Sequence, residues 1–388
     1  MGSKAAIIAG LRKLCGEVIA GRYRIDELVA VGGMGAVFRS RHLQLDKDVA
    51  LKLLRPDLSN NAEVCARLQR EARLSSRLDH PNCVRVFDFG TTREGTQYLT
   101  MELLRGRDLS TLLRQPLLVP YVVEIVTQVL RGLDHAHRRG VLHRDIKPGN
   151  IRLVRDDEGR NLVKVCDFGI AKGVGSGTQD TTITQLGTIF GTPVYMSPEQ
   201  AAGDAIDNRA DIYAVGVVMF EMLVGRPPFD DPDPIQLLRK KMAGEIPAMP
   251  NVAPAVVAVV QRLMAVAPDR RYPDAMEACR ALEAAAREAT GQPGGGPPTP
   301  APRNWYEQAD AGLPAPQVVA ATPEAHPERR DSSILRAFGA GLDKVLAEPT
   351  PHAGSRLSTG IHAEPTSPAD DYIDMNNLQL EELGDPDD

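Results

Sequence analysis

Two acidic residues and an amide stand in short, loop-like segments near the middle of the chain. Asp145 and Asn150 lie within HRDIKPGN, residues 143–150, and Asp167 opens the triplet DFG. Carboxylate and amide oxygens are the ligands that hard divalent cations prefer, and a further carboxylate can orient a hydroxyl group. Phosphoryl transfer needs this combination, because it depends on positioning and charge stabilisation more than on covalent help. The residue types therefore predict a site for a metal-bound polyphosphate.

A glycine-rich segment supplies a second candidate group. VAVGGMGAVF, residues 29–38, places Gly32, Gly33 and Gly35 between two strand-like runs. Without a Cβ, glycine lets backbone amides approach a phosphate chain closely. Glycines in a tight hairpin more often form a simple turn, so this segment alone leaves both interpretations open.

A lysine follows in the next strand-like run, VALK. Alternation along a strand would place Ala50 and Lys52 on the same face. A lysine aimed into a cleft needs an anion, and Glu71 could supply it, although a solvated surface carboxylate is the ordinary alternative.

The elements that must position these groups change character along the chain. The apolar pattern predicts an amphipathic helix over Val122–Leu133 that ends at Gly140, and a helix buried on all sides over Ile212–Val224. Strands and one helix precede them, at residues 23–54 (β-like), 59–77 (helix), 84–89 (strand) and 98–103 (strand). The fold class is α+β, with a small sheet-rich lobe followed by a larger helical lobe.

Composition and charge limit the classes of function that this chain can have. Of 388 residues, 291–388 hold 6 Lys+Arg and 16 Asp+Glu, a net charge of −10, which leaves a net charge of +4 on the first 290. A near-neutral folded part with an acidic tail argues against nucleic-acid binding, which needs a dense basic surface. No apolar run reaches the roughly 20 residues of a membrane span, and five scattered cysteines predict reduced thiols and a cytoplasmic location.

The predicted organisation has three parts. Residues 1–21 form an N-terminal extension, and 22–285 form the folded domain, with lobes at about 22–101 and 105–285. Residues 290–388 are Pro/Ala-rich and acidic, and they predict a mostly disordered tail that could dock partners.

In order and spacing, these motifs and GTPVYMSPEQ, residues 191–200, resemble those of the eukaryotic-type protein kinases. GGMG and YMSPEQ are most similar to the bacterial (Hanks-type) serine/threonine branch. The resemblance covers about residues 22–285 and implies a bilobal kinase fold that transfers the γ-phosphate of Mg-ATP, with Mn²⁺ as a substitute, to Ser/Thr hydroxyls of protein substrates.

The resemblance also implies roles for single residues. Lys52 would contact the α/β-phosphates and pair with Glu71, while Asp145 would accept the proton of the substrate hydroxyl and Lys147 would touch the γ-phosphate. Asp167 and Asn150 would bind the metal ions. The residues implied in nucleotide binding are Val31, Gly32, Gly33, Met34, Gly35, Val37, Ala50, Lys52, Met101, Glu102, Leu104, Asp108, Asn150, Arg152 and Asp167.

Supporting residues follow from the same resemblance. Thr192 would bond the catalytic Asp–Lys pair, Glu199 would form a buried pair with Arg271, and Asp211 would bond the catalytic-loop backbone. Residues 193–196 would face the acceptor. Arg144 would attract a phosphorylated residue of the activation loop, with Thr184 the first candidate for autophosphorylation in trans and Thr182 and Thr188 behind it.

Three positions depart from the family's pattern. Ala30 replaces the first glycine of the loop, and Ser75 is small where many relatives are apolar. Arg152 stands where relatives place an apolar residue under adenine, and its guanidinium could stack on the ring or swing outward.

The rival hypothesis is a catalytically impaired kinase fold that serves as a scaffold through its acidic tail. Such proteins usually lack at least one residue of the lysine, catalytic-aspartate and metal-aspartate set. Because Lys52, Glu71, Asp145, Asn150 and Asp167 are all present, the sequence favours an active enzyme in signal transduction.

Overall fold

The computed structural model describes residues 2–33, 35–59, 62–156, 158–168 and 194–290. These residues fall into two compact units. The first contains the described residues up to 59 together with 90–98, and the second contains 62–89 and the described residues from 99 onward.

Strands predominate early in the chain, and α-helices predominate later. The strands are β1 Val18–Ile19, β2 Tyr23–Gly32, β3 Gly35–His42, β4 Lys47–Leu54, β5 Val86–Thr91, β6 Gln97–Met101, β7 Gly106–Asp108, β8 Ile151–Arg155 and β9 Asn161–Val165. The α-helices are α1 Gly2–Arg12, α2 Pro56–Ser59, α3 Ala62–Ser75, α4 Val119–His137, α5 Pro198–Ala202, α6 Asn208–Val224, α7 Pro234–Ala243, α8 Pro254–Leu263 and α9 Ala275–Ala289. Short 3₁₀ turns lie at Leu109–Leu112, Pro148–Asn150 and Pro268–Arg270.

An antiparallel meander of β2, β3 and β4 forms most of the first unit. Its strands belong to a six-stranded sheet of order β1-β2-β3-β4-β6-β5. Apolar side chains that alternate along the strands meet on one face, and Phe38, Leu51 and Tyr98 are almost fully buried there.

The N-terminal residues join this core. Leu11 and Leu14, at and just after the end of α1, are completely buried in the same apolar cluster as β2 and β3. The predicted N-terminal extension, residues 1–21, therefore contributes Leu11 and Leu14 to the packing of the first unit.

Helices α4, α6, α8 and α9 supply most of the second unit's apolar core. The face of α4 predicted from Val122 to Leu133 is buried, and the chain leaves the helix through Gly140 with φ +73°. Helix α6 is buried on nearly all sides, as predicted, and Gly216 allows it to approach α8 closely. Asp207 caps its start and Gly225, in the left-handed conformation, ends it.

A small three-stranded sheet of order β7-β8-β9 completes the second unit. Strand β8 follows the loop that carries Asp145, and β9 ends two residues before Asp167. This hairpin therefore fixes both acidic segments in one unit.

The predicted α+β class, sheet-rich first and helical afterwards, is confirmed, whereas several bounds differ. Helix α3, Ala62–Ser75, lies within the helix predicted over 59–77, and β5 begins two residues later than the predicted strand at 84. A further helix, α2, begins at Pro56 ahead of the predicted one, and the apolar period did not indicate it.

Candidate functional site

Asp145 lies in a short irregular loop whose groups bond one another. The Asn150 amide nitrogen donates to the Asp145 backbone carbonyl at 2.8 Å and to its Oδ2 at 3.1 Å. The Lys147 ammonium lies 3.1 Å from the same Oδ2. One carboxylate oxygen is thus held between an amide and an ammonium, both of which can donate to it.

Asp211 anchors the backbone of this loop from α6. Its two oxygens accept the amide N–H groups of His143 at 2.8 Å and Arg144 at 2.7 Å, and Oδ2 also lies 2.8 Å from Nε2 of His137. Burial alone would raise the pKa of Asp211, but the hydrogen bond and charge of His137 and the His143 amide hold it below its ordinary value. The carboxylate therefore stays charged and keeps the loop in place.

The backbone is strained at two positions beside the acidic groups. Arg144 has φ +63° and Asp167 has φ +57°, the left-handed region that non-glycine residues seldom occupy. Such conformations persist where surrounding contacts over-determine them, and they cluster at functional sites. Here the Asp211 carboxylate supplies that restraint for Arg144.

His143 is completely buried and joins the two acidic segments. Its Nδ1 accepts the N–H of Asp145 at 3.2 Å, and its Nε2 lies 2.8 Å from the carbonyl oxygen of Cys166. Its ring packs 4.8 Å from that of Phe168. Because one nitrogen accepts and the other must donate, a neutral imidazole satisfies both bonds, and burial lowers the pKa of His143 accordingly.

The donor set fits a hard divalent cation. The Asn150 amide nitrogen is committed to Asp145, so its Oδ1 is the atom that can ligate a metal, and Asp167 lies two residues after the end of β9. Both are oxygen donors of the kind Mg²⁺ takes. Among the described residues, no cluster of three or more His, Cys, Asp and Glu side chains has metal-binding geometry, so the fit rests on these two residues.

Two ion pairs hold Glu102 and Asp108 against strands β8 and β9 of the small sheet. Arg152 donates to Asp108 Oδ1 at 2.7 Å and to the Gly106 carbonyl at 2.8 Å, so the guanidinium turns towards Asp108. Lys164, the cross-strand partner of Arg152, lies 2.8 Å from Glu102 Oε2. Each of these opposed cations therefore has its own carboxylate.

Three further residues implied in nucleotide binding lie at or near the start of the segment from Glu102 to Asp108. Met101 ends β6 and is buried, and Leu104 is half-buried in the following stretch. The Glu102 amide donates to the Arg85 carbonyl at 2.9 Å.

Glu199 and Arg271 form the pair that the sequence suggested. The two guanidinium nitrogens of Arg271 lie 2.6 and 2.8 Å from the two carboxylate oxygens, and the Arg271 side chain is completely buried. Next to Glu199, Gln200 forms a capping box with Ser197 and donates to the Arg144 carbonyl at 3.1 Å. Helix α5 is thus bonded to the loop that carries Asp145.

The glycine segment and Lys52 lie in the first unit. Gly32 and Gly35 are register partners at the end of the β2–β3 hairpin. A Cβ at Gly35 would lie 1.9 Å from the Leu53 carbonyl oxygen, so the neighbouring strand alone requires glycine there, whereas Gly32 has open space around it. Lys52 is buried in β4 opposite Val37.

The remaining implied residues of this unit follow the strands. Val31 pairs with Ala36 across the hairpin and packs against the core, and Ala50 is buried two residues before Lys52 in β4. By alternation Ala50 shares the face of Lys52.

Several predicted residues lie outside the description. They are Met34, Thr182, Thr184, Thr188, Thr192 and Pro193, together with the side chain of Glu71, whose backbone is in α3.

Sequence reasoning missed His137 and Gln200. His137 occurs at the end of α4 with no motif around it, so its role depends on the packing of α4 against α6. Gln200 could have been found, because Ser-x-x-Gln before a helix is the capping-box signature.

Comparison with known proteins gives consistent matches. The protein kinase domain family matches residues 23–282. The chain is 36% identical over 373 residues to the serine/threonine-protein kinase pkn3 of Myxococcus xanthus, covering 90% of this chain and 66% of that protein. It is 38% identical over 265 residues to the serine/threonine-protein kinase PrkC of Bacillus subtilis, covering 67% of this chain and 40% of that protein.

A solved structure agrees with these sequences. The crystal structure of the PknI kinase domain of M. tuberculosis matches with a TM-score of 0.55 at 29% identity, covering 70% of this chain and 98% of that chain. The chain spans about two fifths to two thirds of the length of the curated relatives it matches. Within the part that the structure describes, no helix combines the length and apolar character needed to cross a bilayer.

Proposed function

We infer that this chain, which belongs to the protein kinase domain family, is a serine/threonine protein kinase. It transfers the γ-phosphoryl group of ATP to Ser or Thr hydroxyl groups of protein substrates. The observation that carries the proposal is the geometry around Asp145, whose Oδ2 is bonded by Asn150 and Lys147 in one partly buried loop.

The chemistry assigned to this chain is mainly positioning. Asp145 orients the acceptor hydroxyl and takes its proton as the oxygen attacks the γ-phosphorus, while the bond from that phosphorus to ADP breaks and ADP leaves. Lys147, already beside Asp145, balances charge on the transferred group, and Lys52 in the first unit binds the α/β-phosphates. Asn150 and Asp167 hold divalent cations, which neutralise charge on the phosphates when bound. We propose Mg²⁺ as the physiological ion, with Mn²⁺ able to replace it.

Ser and Thr are the proposed acceptors because Lys147 follows Asp145 by two residues, as in the serine/threonine branch, and because the curated relatives carry that name. Mass spectrometry after incubation of the full chain with ATP and Mg²⁺ tests this proposal. Phosphoserine and phosphothreonine on an added protein substrate are expected. Phosphotyrosine as the main product would contradict it.

We also propose that autophosphorylation in trans controls activity. The supporting feature is the run of threonines between Asp167 and Glu199, with Thr184 the first candidate and Thr182 and Thr188 next. Arg144 would receive the new phosphate and so couple it to the neighbouring Asp145. Unchanged activity after phosphatase treatment and after Thr184→Ala would remove this part of the proposal.

We propose a cytoplasmic location for the chain and basic docking partners for its acidic tail. All five cysteines are free thiols, which fits the cytoplasm. The net charge of −10 on residues 291–388 fits docking to basic partner surfaces.

A further inference from the structure

Lys241 is a lysine buried inside the second unit. It lies in α7 and is 1% exposed, whereas its neighbour Lys240 faces solvent and lies 2.8 Å from Asp231. Removing an ammonium from water is costly unless its N–H groups find acceptors. The burial of Lys241 therefore requires hydrogen-bond acceptors for its ammonium group.

The acceptors are backbone carbonyls of one short segment. The Lys241 ammonium donates to the Val194 carbonyl at 2.5 Å and to the Met196 carbonyl at 2.6 Å. It also lies 5.8 Å from the centre of the Tyr213 ring. Charge-assisted bonds of this length are about twice as strong as neutral ones, so the cation fixes the path of residues 194–196.

The residue between the two carbonyls is held from another helix. The Tyr195 hydroxyl donates to Glu221 Oε2 of α6 at 2.7 Å. Residues 194–196, here called the anchored segment, are therefore fixed by α7 through the backbone and by α6 through a side chain. Their conformation does not depend on neighbours in the chain alone.

The anchored segment is connected to the loop of Asp145. It runs directly into Ser197 and α5, and Gln200 of that helix donates to the Arg144 carbonyl. Arg144 precedes Asp145. A displacement of the anchored segment would thus be transmitted through one helix of five residues to the backbone beside Asp145.

We propose that Lys241 is a positioning residue for the protein acceptor. By bonding the carbonyls of Val194 and Met196, it holds the anchored segment in the conformation that receives the acceptor chain next to Asp145. This inference rests on the proposed kinase function. It assigns Lys241 to recognition of the acceptor and not to recognition of ATP.

The test compares Lys241→Met with Lys240→Met in the full chain. Methionine keeps an unbranched apolar stem but removes the donors, and Lys240→Met removes an exposed ammonium from the same helix. The acceptor is a synthetic peptide of this chain's residues 178–190, TQDTTITQLGTIF. Initial rates are measured while peptide and ATP are varied separately.

For Lys241→Met we expect kcat/KM for the peptide to fall by roughly 10- to 100-fold, because a small misplacement of a substrate-binding segment has effects of this size. The KM for ATP should stay within about twofold of its original value. Lys240→Met should match the unaltered chain for both substrates. A fall shared equally by peptide and ATP, or no change for the peptide, would overturn the proposal.

Lys241→Gln provides a second measurement if the methionine variant does not fold. Its amide donates but ends one bond short of the ammonium position. The same selective loss for the peptide is expected, and a glutamine variant with the original peptide KM would refute the inference. Absence of transfer by the unaltered chain would instead indicate failure of the proposed function, so the two failures are distinguishable.

Discussion

The buried Arg271 side chain in the second unit is held by a complete set of hydrogen bonds. Arg271 uses all five N–H groups, two on Glu199 and three on the carbonyls of Ala265, Val266 and Arg209. A buried guanidinium is tolerated only when every donor is satisfied. The sequence indicated the Glu199 partner through the family resemblance, but the carbonyls follow from backbone geometry that a sequence pattern does not encode.

Replacement of Arg271 by Met should therefore be strongly destabilising. It leaves Glu199 buried without its cation, and we expect the free energy of unfolding to fall by about 3–5 kcal/mol in urea denaturation. Arg131→Met is the control, because Arg131 is half-exposed in its pair with Glu283. A loss for Arg271→Met no larger than the control's would contradict this assignment.

His143 should make stability sensitive to acid. Burial lowers its pKa in the folded chain, so the unfolded chain binds a proton first, near its ordinary pKa of about 6.5. Stability conferred by the neutral ring is present above that pH and is lost as the pH falls below it, by up to about 1.4 kcal/mol per pH unit.

His143→Gln isolates this effect, because glutamine does not titrate but can still donate and accept. Between pH 8 and 5 we expect the unaltered chain to lose more unfolding free energy than the variant. His80 and His135, whose pKa values burial also lowers, are common to both chains. Titration of Asp211 affects the unfolding free energy only near pH 4 and below, because the pKa of this carboxylate is lowered in the folded chain. Parallel stability curves above pH 5 would rule out the assignment.

At the level of elements, hairpins and loops could be located from the sequence, but the backbone strain within them could not be predicted. Periodicity predicted α4 and α6, because apolar spacing reports directly on burial. The left-handed backbone at Arg144 had no signal in the sequence, because arginine seldom adopts this conformation, which here depends on the distant Asp211 carboxylate. The sequence located the glycine-rich β2–β3 hairpin, but it did not show that Gly32 and Gly35 have different roles there.

Alanine at each glycine of the β2–β3 hairpin separates those roles. Gly35→Ala places a Cβ against the Leu53 carbonyl and should lower the unfolding free energy by roughly 1–3 kcal/mol. Gly32→Ala meets nothing within 4 Å and should change stability by less than about 0.5 kcal/mol. Weaker ATP binding by Gly32→Ala, measured with a fluorescent nucleotide, would support phosphate binding there. Equal stability losses would contradict the distinction.

Across the whole molecule, motif order predicted the α+β organisation, whereas it did not indicate that residues before 22 pack into the first unit. The family resemblance begins at about residue 22, but Leu11 and Leu14 are completely buried before it. A short apolar run at a terminus has no spacing that distinguishes a packed helix from an unattached one. Its contribution follows only from the apolar cluster that it completes.

Leu11→Ala tests whether the N-terminal helix belongs to the first unit's core. We expect a loss of about 2–5 kcal/mol in the free energy of unfolding, the usual effect of emptying a buried leucine site. Leu45→Ala removes the same atoms from a side chain that is 70% exposed and should have little effect. Similar values for both variants would show that α1 is not part of the core.

The central claim, that this chain transfers phosphate through Asp145, is tested most directly with γ-labelled ATP and Mg²⁺. The unaltered chain, Asp145→Asn and Lys52→Met are compared in the same assay, with and without prior phosphorylation of the chain. We predict incorporation by the unaltered chain and a decrease of roughly 10²- to 10⁴-fold for Asp145→Asn. Incorporation equally absent from all three, whatever the phosphorylation state, would contradict the claim and favour a scaffold.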